Sequence, residues 1–386
     1  MLINNIAELE KQLHIISDSF KTENSFSRKR LKLLEDFYSE LKLLKSNFEA
    51  ISLSLYLRSL LKLSFSEIYP KNSYGLGIVV HYGPGNLPIN SIYSWITGFI
   101  CGNINVVRSS TKTTTQQLEI IKLVSNLCRK NSFLDIFFIS KDADEFAKLT
   151  SKYCQARIIW GSNSVVNIIR KLDCKPNCRD IIFSDRKAAA LLNFDLIDTY
   201  SNNRKKFLIS ALANDLFYAN SQPCTSPSVL FLISKNNNKE ILLGKIKDLL
   251  IDAEELANKK ESWNLSSFSN QIQHLQYYAV DENQPVFLDC NSSKFKLAIV
   301  SNPTFQKRLF RTFEIVLAKN FDDLKEETLM NFNIFICDGL NEEQKLVLSS
   351  INNCTKVTSV GNAHQFNLIW DGIDTVRSLI RIPQIS

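Results

Sequence analysis

No apolar run in this chain approaches the roughly 18–20 residues that a membrane-spanning helix needs. Its first residues are acidic and polar rather than the apolar core of a secretory leader. A soluble, cytoplasmic protein with no membrane insertion is therefore expected. No disulfide framework is visible either. The nine cysteines (Cys101, Cys128, Cys154, Cys174, Cys178, Cys224, Cys290, Cys337 and Cys354) are odd in number, irregularly spaced and mostly set in apolar runs. That is the pattern of free thiols in a reducing compartment. Cys174 and Cys178 make one Cys-x-x-x-Cys pair, but no second pair of cysteines or histidines completes a zinc set. A basic stripe is also missing. The formal net charge is +7, yet Lys and Arg are dispersed among Asp and Glu, which argues against nucleic acid and suits small polyanions. Gly-x-Gly-x-x-Gly occurs nowhere, which argues against an ordinary Rossmann dehydrogenase. There is no internal repeat and no long disordered linker.

What remains is a chain of 386 residues with 45% hydrophobic content, enough for two or three domains with sizeable cores. Before Pro70 there is no Gly and no Pro, and Leu31, Leu33, Leu34, Phe37, Leu41, Leu44 and Phe48 recur at helical spacing. After Pro70 the pattern changes. Apolar strands are expected at Leu76–Val80, Asn105–Arg108, Phe133–Ile139 and Ala156–Trp160. Helices are expected at Ile89–Ile100, Thr115–Cys128, Asp144–Lys152 and Ser164–Leu172. This alternation predicts a parallel, doubly wound α/β sheet, whose ligands bind at the carboxyl ends of the strands. A second unit begins near Asp180 to Leu192, with a strand at Val229–Ile233, a charged helix at Lys239–Lys260 and a β-rich end after Gly361.

Cys224 is the leading candidate for chemistry. It follows a helical stretch (Phe207–Tyr218) and lies between two prolines in the polar loop Ser221-Gln222-Pro223-Cys224-Thr225-Ser226-Pro227, unlike a core cysteine. A thiolate there could attack a thioester carbonyl. Asn86, in the loop Gly83-Pro84-Gly85-Asn86-Leu87-Pro88, is either a turn asparagine or a rigid amide donor to an oxyanion. Gly161-Ser162 ends a strand and opens a helix, a place where backbone N–H groups can hold a pyrophosphate. His81 is either an orienting side chain or a proton relay. His364, Trp370 and Asp371 read as structural.

In order along the chain, these segments resemble the aldehyde dehydrogenase superfamily, and within it the acyl-CoA reductase branch, the LuxC-type fatty acid reductases. The likeness rests on His81-Tyr82-Gly83-Pro84-Gly85-Asn86-Leu87-Pro88, Gly102-Asn103 with Val106-Val107-Arg108-Ser109, and Trp160-Gly161-Ser162. It continues in Gln222-Pro223-Cys224-Thr225-Ser226-Pro227 and in Trp370-Asp371-Gly372-Ile373-Asp374 with Arg381. The resemblance implies an aldehyde dehydrogenase-like fold. Residues 1–70 would form a helical region, 71–205 the nucleotide-binding domain and 206–365 the catalytic domain of the nucleophile. Residues 366–386 would be a segment that packs back or mediates oligomerisation.

It also implies roles. Cys224 would carry the acyl group and Asn86 would hold the oxyanion. Arg108, with Ser109, would stand beside the adenosine ribose in place of the usual Lys, and Gly161 and Ser162 would lie under the pyrophosphate. The activity implied is reduction of an acyl-CoA thioester to an aldehyde. Thr111 stands where NAD-preferring members carry a Glu, which permits NADPH and leaves NADH open. Ile181 to Lys187 contains no Glu to activate water, only Asp185, which suits acyl transfer better than hydrolysis. Implied partners are an acyl-CoA or acyl-enzyme donor, an acyl-protein synthetase and further copies of the chain in a homo-oligomer. The alternatives are the same chemistry run in the oxidative direction and a non-catalytic scaffold of the same fold.

Overall fold

The alternation of strands and helices after Pro70 builds two open sheets in the computed structural model of this chain. It describes all residues except 20–22, 85–88, 110–112, 140, 237, 260–267, 270, 273–274, 277–285, 289, 291–292, 304–309 and 385–386. The residues divide into two units, Met1–Asp185 with Phe366–Ser386, and Arg186–Gln365. The division falls ahead of residue 206, within the stretch from Asp180 to Leu192, because the strand that starts at Ala188 pairs into the second sheet.

The first unit opens with β1 (Leu2–Ile3), α1 (Ile6–Ser19), α2 (Arg28–Leu41), α3 (Phe48–Leu60) and α4 (Phe65–Ile68). The apolar spacing read from the sequence forms the buried face of α2, with Leu33, Leu34, Phe37 and Leu41. Next come β2 (Tyr74–Gly75), β3 (Ile78–Tyr82), α5 (Asn90–Ile100), β4 (Ile104–Ser109), α6 (Thr115–Lys130) and β5 (Ile136–Ile139). Then follow α7 (Ala143–Ser151), β6 (Ala156–Trp160), α8 (Asn163–Arg170) and β7 (Arg179–Phe183). Six strands lie in the order β1-β5-β4-β3-β6-β7, all parallel.

Successive side chains of a strand leave on opposite faces. Val79 joins a cluster with α2, α3, α5 and α6, whereas Ile78 and Val80 join one with α1, α7 and α8. Helices therefore cover both faces, as a buried parallel sheet requires. Short β1 lies where only helix was expected, paired at the edge with β5. From β3 the strand order runs to β4 and β5 on one side and to β6 and β7 on the other. That reversal is the topological switch point at which open sheets bind ligands.

The second unit contains β8 (Ala188–Asn193), α9 (Phe194–Ile197), α10 (Asn202–Phe217), β9 (Pro227–Ile233) and α11 (Lys239–Asn258). β10 (Val286–Leu288), β11 (Lys296–Ile299), β12 (Thr312–Ala318), β13 (Ile334–Asp338) and β14 (Lys356–Ser359) complete its sheet. The order is β10-β11-β12-β9-β8-β13-β14, with β10 antiparallel to its neighbour and the other pairings parallel. Ala190, Leu230 and Leu232 pack with α10 and α11, and Ala189, Leu191 and Phe231 pack on the other face.

The C-terminal residues belong to the first unit. β15 (Ile369–Trp370) and β16 (Ile373–Asp374) form a hairpin. Its turn is Asp371-Gly372, at φ 50° and 75°, the backbone that a two-residue hairpin loop demands. Trp370 stacks on Phe366 with ring centroids 4.6 Å apart. β17 (Ile380–Arg381) pairs antiparallel with β2. Among the described residues, no helix is long and apolar enough to cross a membrane.

Candidate active site

The loop that carries Cys224 is built from its two ends. Helix α10 starts on Ser201, whose hydroxyl caps the Arg204 N–H at 3.4 Å, and it stops at Phe217. Three consecutive residues then adopt left-handed backbone, Ala219 at φ 46°, Asn220 at 55° and Ser221 at 64°. A run of this kind without glycine is uncommon. The Ser221 hydroxyl donates to the Leu216 carbonyl at 2.5 Å, satisfying one of the carbonyls that a helix end leaves open. The chain then turns tightly, with the Ser226 N–H donating to the Pro223 carbonyl at 3.0 Å. Cys224 and Thr225 are the central residues of that turn, and β9 begins directly after it. Cys224 is half-buried, whereas Cys101, Cys128, Cys154, Cys290 and Cys337 are buried. Burial pushes the thiols of Cys101 and Cys128 far up and that of Cys337 to about 12.

Thr225 ties this turn to the segment after β14. Its Oγ1 lies 2.6 Å from His364 Nδ1, and His364 Nε2 lies 3.1 Å from the Asn214 carbonyl. A carbonyl only accepts, so Nε2 carries the proton and the Thr225 hydroxyl donates to Nδ1. Burial holds this imidazole down at about 4. Asp215 secures the same segment, accepting from Gly361 N–H at 2.6 Å and Ala363 N–H at 3.2 Å. Burial raises its carboxyl to about 6.

In the first unit, the residues singled out for the cofactor sit at the carboxyl ends of β4 and β6, the two strands that flank β3. Arg108 is half-buried, its Nε has no hydrogen-bond partner among the described residues, and burial lowers its pKa. Ser109 is fully buried, its hydroxyl 3.3 Å from that of Ser91. Gly161 closes β6, and Ser162 caps α8, accepting from Val165 N–H at 3.4 Å. The Asp185 carboxylate also reaches this helix start, accepting from Asn163 N–H at 3.0 Å. Asp185 thus serves as a second cap on α8. Asn86 and Thr111 lie outside the described residues.

The other segments of sequence interest are scaffold. His81 is fully buried, with Nε2 donating to Asn105 Oδ1 at 2.9 Å and Nδ1 accepting from Ser94 Oγ at 2.7 Å. Asn105 and Trp95 in turn donate to the buried Asp135. Burial holds the His81 imidazole at about 4, so it is an orienting residue, though its partners are side chains rather than backbone. Asn103, of the Gly-Asn pair, lies at the amino end of β4, away from the ligand end. Its Oδ1 accepts from Leu76 and Gly77 N–H at 2.6 and 3.2 Å. Its Nδ2 donates to the Gly98 and Leu379 carbonyls at 3.2 and 3.0 Å. Sequence reasoning did not reveal Arg311, whose Nε donates to Asn220 Oδ1 at 3.0 Å. The two are far apart along the chain, and no local pattern joins them.

This architecture is the aldehyde dehydrogenase fold. The Thermus thermophilus 1-pyrroline-5-carboxylate dehydrogenase, solved as an arginine-to-alanine mutant, is similar over 97% of this chain and 84% of its own, with a TM-score of 0.69 and 13% identity. Aldehyde dehydrogenase 21 of Physcomitrella patens, in complex with the reaction product succinate, matches 98% of this chain and 89% of its own (TM-score 0.72, 10% identity). An aldehyde dehydrogenase of Bartonella henselae matches 97% and 90% (TM-score 0.68, 12% identity). These likenesses establish the fold. No curated protein sequence matches the chain. The chain belongs to the acyl-CoA reductase (LuxC) family, whose model matches residues 19–382. It is therefore an oxidoreductase acting on acyl or aldehyde groups, and the family and fold imply a nicotinamide cofactor.

Proposed function

We propose that this chain reduces an acyl-CoA, or another activated acyl thioester, to an aldehyde with NADPH, through an acyl group carried on Cys224. The observation that carries the reading is the setting of Cys224. It is half-buried at the centre of the Pro223–Ser226 turn, on a loop fixed at both ends, in a chain of the acyl-CoA reductase family. We place the reaction in the cytoplasm, a setting that suits nine cysteines with no disulfide among them.

The residues at the switch point fit a dinucleotide. A buried guanidinium nitrogen with an open N–H calls for an anionic or polar partner, and Arg108 Nε is such a donor at the end of β4. Gly161 and Ser162 would lie under the pyrophosphate at the start of α8. An incoming pyrophosphate competes there with Asp185 for the Asn163 N–H. The resemblance puts Thr111 where a Glu would repel a 2′-phosphate, and the absence of that carboxylate permits NADPH.

The thiolate of Cys224 attacks the thioester carbonyl and forms a new C–S bond. Asn86 and the Cys224 N–H hold the oxyanion. The C–S bond to CoA then breaks and CoA leaves as the thiolate. When bound, the nicotinamide nucleotide supplies the hydride. Cys224 finally takes back the electron pair of its C–S bond, and the aldehyde is released. Asp185, engaged as a cap on α8, is not offered as a base for water, which suits reduction over hydrolysis. The acyl donor is acyl-CoA or an acyl group passed on by an acyl-protein synthetase.

The test is incubation of wild type and Cys224→Ala with acyl-CoAs of graded chain length, followed by intact mass and peptide mapping. NADPH consumption and aldehyde trapping are measured in parallel. The expected result is an acyl adduct at Cys224 and none in the variant. An adduct that persists in Cys224→Ala would overturn the reading.

A further inference from the structure

We propose that Arg311 is a positioning residue for the nucleophile loop. Its guanidinium, anchored on α11, grips Asn220 and so sets the left-handed run that delivers Cys224. The inference rests on the reading of Cys224 as the acyl carrier.

Arg311 is fully buried. A buried cation is costly unless a carboxylate and hydrogen bonds compensate it. Nη1 donates to Glu254 Oε1 at 3.2 Å and to Asn258 Oδ1 at 2.7 Å, both on α11. The guanidinium also lies over the Phe217 ring, 5.5 Å from its centroid, where α10 ends. The Arg311 backbone is held as well. Gln271 Nε2 donates to the carbonyls of Phe310 at 3.0 Å and Arg311 at 3.4 Å. Glu254 accepts from Lys294 N–H at 3.2 Å. Arg311 itself sits at φ 44°, strained backbone that persists only where the surroundings over-determine it. A group fixed this thoroughly is a rigid anchor.

One donor of that anchor leaves the cluster. Nε reaches Asn220 Oδ1 at 3.0 Å, and Asn220 is the middle residue of the left-handed run. Ala219 has no side-chain group that could compensate for its φ of 46°. The run is held by the Arg311–Asn220 bond on one side and by the Ser221 hydroxyl on the Leu216 carbonyl on the other. Three residues separate Asn220 from Cys224, and two tight turns span the stretch: Gln222 N–H donates to the Ala219 carbonyl at 3.2 Å, and Ser226 N–H to the Pro223 carbonyl. Rotation at Asn220 would therefore move the sulfur, and small misplacements of a reacting atom are costly.

The test uses the full chain and three variants. Asn220→Gly removes the acceptor while leaving a residue that adopts φ near 55° without strain. Asn220→Asp keeps an acceptor for the guanidinium, and Arg311→Lys keeps the charge but loses the planar fork. Two rates are read at Cys224 by peptide mass: acylation by dodecanoyl-CoA and by acetyl-CoA in a single turnover, and alkylation by iodoacetamide from about pH 6 to 10. Asn220→Gly and Arg311→Lys are expected to slow acylation roughly 10- to 100-fold. The acyl-CoA concentration at half-saturation should stay near that of wild type, with the alkylation profile displaced. Asn220→Asp should restore both. Wild-type rates in Asn220→Gly, folded by circular dichroism, would overturn the proposal, as would equal losses in Asn220→Gly and Asn220→Asp. If neither acyl-CoA labels wild-type Cys224, the functional reading fails for these donors, and the alkylation rates alone decide whether Arg311 positions the thiol.

Discussion

The hydroxyl of Thr225 and Nδ1 of His364 stand 2.6 Å apart, so the residue directly after Cys224 is fastened to an imidazole that the chain reaches only after β14. A neutral imidazole accepts one hydrogen bond and donates one, and both are used by half-buried His364. Thr225→Val keeps the shape and removes the donor, leaving Nδ1 unsatisfied. We expect a loss of about 1–3 kcal/mol in urea unfolding, with Thr225→Ser close to wild type. An unchanged midpoint for the valine variant would show that the contact contributes nothing to stability.

His81 and His364 make stability fall on acidification. Both are held at about 4 by burial, against an ordinary 6.5. Below the ordinary value the unfolded chain binds protons that the folded chain refuses. Stability from these groups is thus complete above 6.5 and declines as pH falls towards 4. One unit below the ordinary value, each costs roughly 1.4 kcal/mol. Asp215, raised to about 6 by burial, acts in the opposite direction below its folded value and offsets part of the loss. The urea midpoint should drop between about pH 7 and pH 5.5, by on the order of 2 kcal/mol overall. A flat profile would contradict the burial of these imidazoles.

Arg108 and Asp185 should affect nucleotide binding in opposite senses. Arg108→Met removes a charged donor from the end of β4, where its Nε lacks a partner among the described residues. A charge-assisted bond of about 1.5–3 kcal/mol corresponds to roughly 10- to 150-fold weaker NADPH binding. Asp185→Asn removes a negative charge from the start of α8, where its carboxylate takes the Asn163 N–H. NADPH should then bind about two- to fivefold tighter, the scale of a charge at a helix terminus. Titration of NADPH fluorescence on each variant measures both. Tighter binding to Arg108→Met, or weaker binding to Asp185→Asn, would remove these residues from the assigned site.

Much of this arrangement was legible in the sequence because its causes are local. Val79, Val107 and Ile158 sit in short apolar runs bounded by loops and helix starts, which read as buried strands from the sequence alone. Cys224 stood out through its prolines, whereas the Asp371-Gly372 turn was legible only as part of a β-rich end. The remainder depends on pairs distant in the chain. The Arg311–Asn220, His364–Thr225 and Asp185–Asn163 contacts each join segments whose own sequences give no sign of a partner. The short strand Leu2–Ile3 was hidden for the same reason: its pairing with β5 is a tertiary event.

Asn103 offers the clearest separation of scaffold from chemistry. The resemblance places the Gly-Asn pair among family motifs, yet its side chain is fully buried and all its work is on backbone. Two donors enter its oxygen from Leu76 and Gly77, and its amide gives to the carbonyls of Gly98 and Leu379. It therefore joins the entry of β3, the end of α5 and the C-terminal segment. Asn103→Asp keeps the acceptor but turns a second oxygen towards two carbonyl oxygens, adding repulsion at both and stranding that of Leu379, while Gly98 keeps the Asn103 backbone N–H. At about 1–3 kcal/mol per stranded buried group, the aspartate should lose several kcal/mol. Asn103→Ala strands three groups, the Leu76 and Gly77 N–H and the Leu379 carbonyl, and should also lose several kcal/mol. The C-terminal residues from Phe366 should become the first site of proteolysis in either variant, since Leu379 loses its anchor. Limited proteolysis with mass mapping reads that directly. Acylation of Cys224, scored per folded molecule, should remain near wild type, because no bond of Asn103 touches the unit that carries the thiol. Loss of acylation in a folded Asn103→Asp protein would mean that the pair serves the reaction itself.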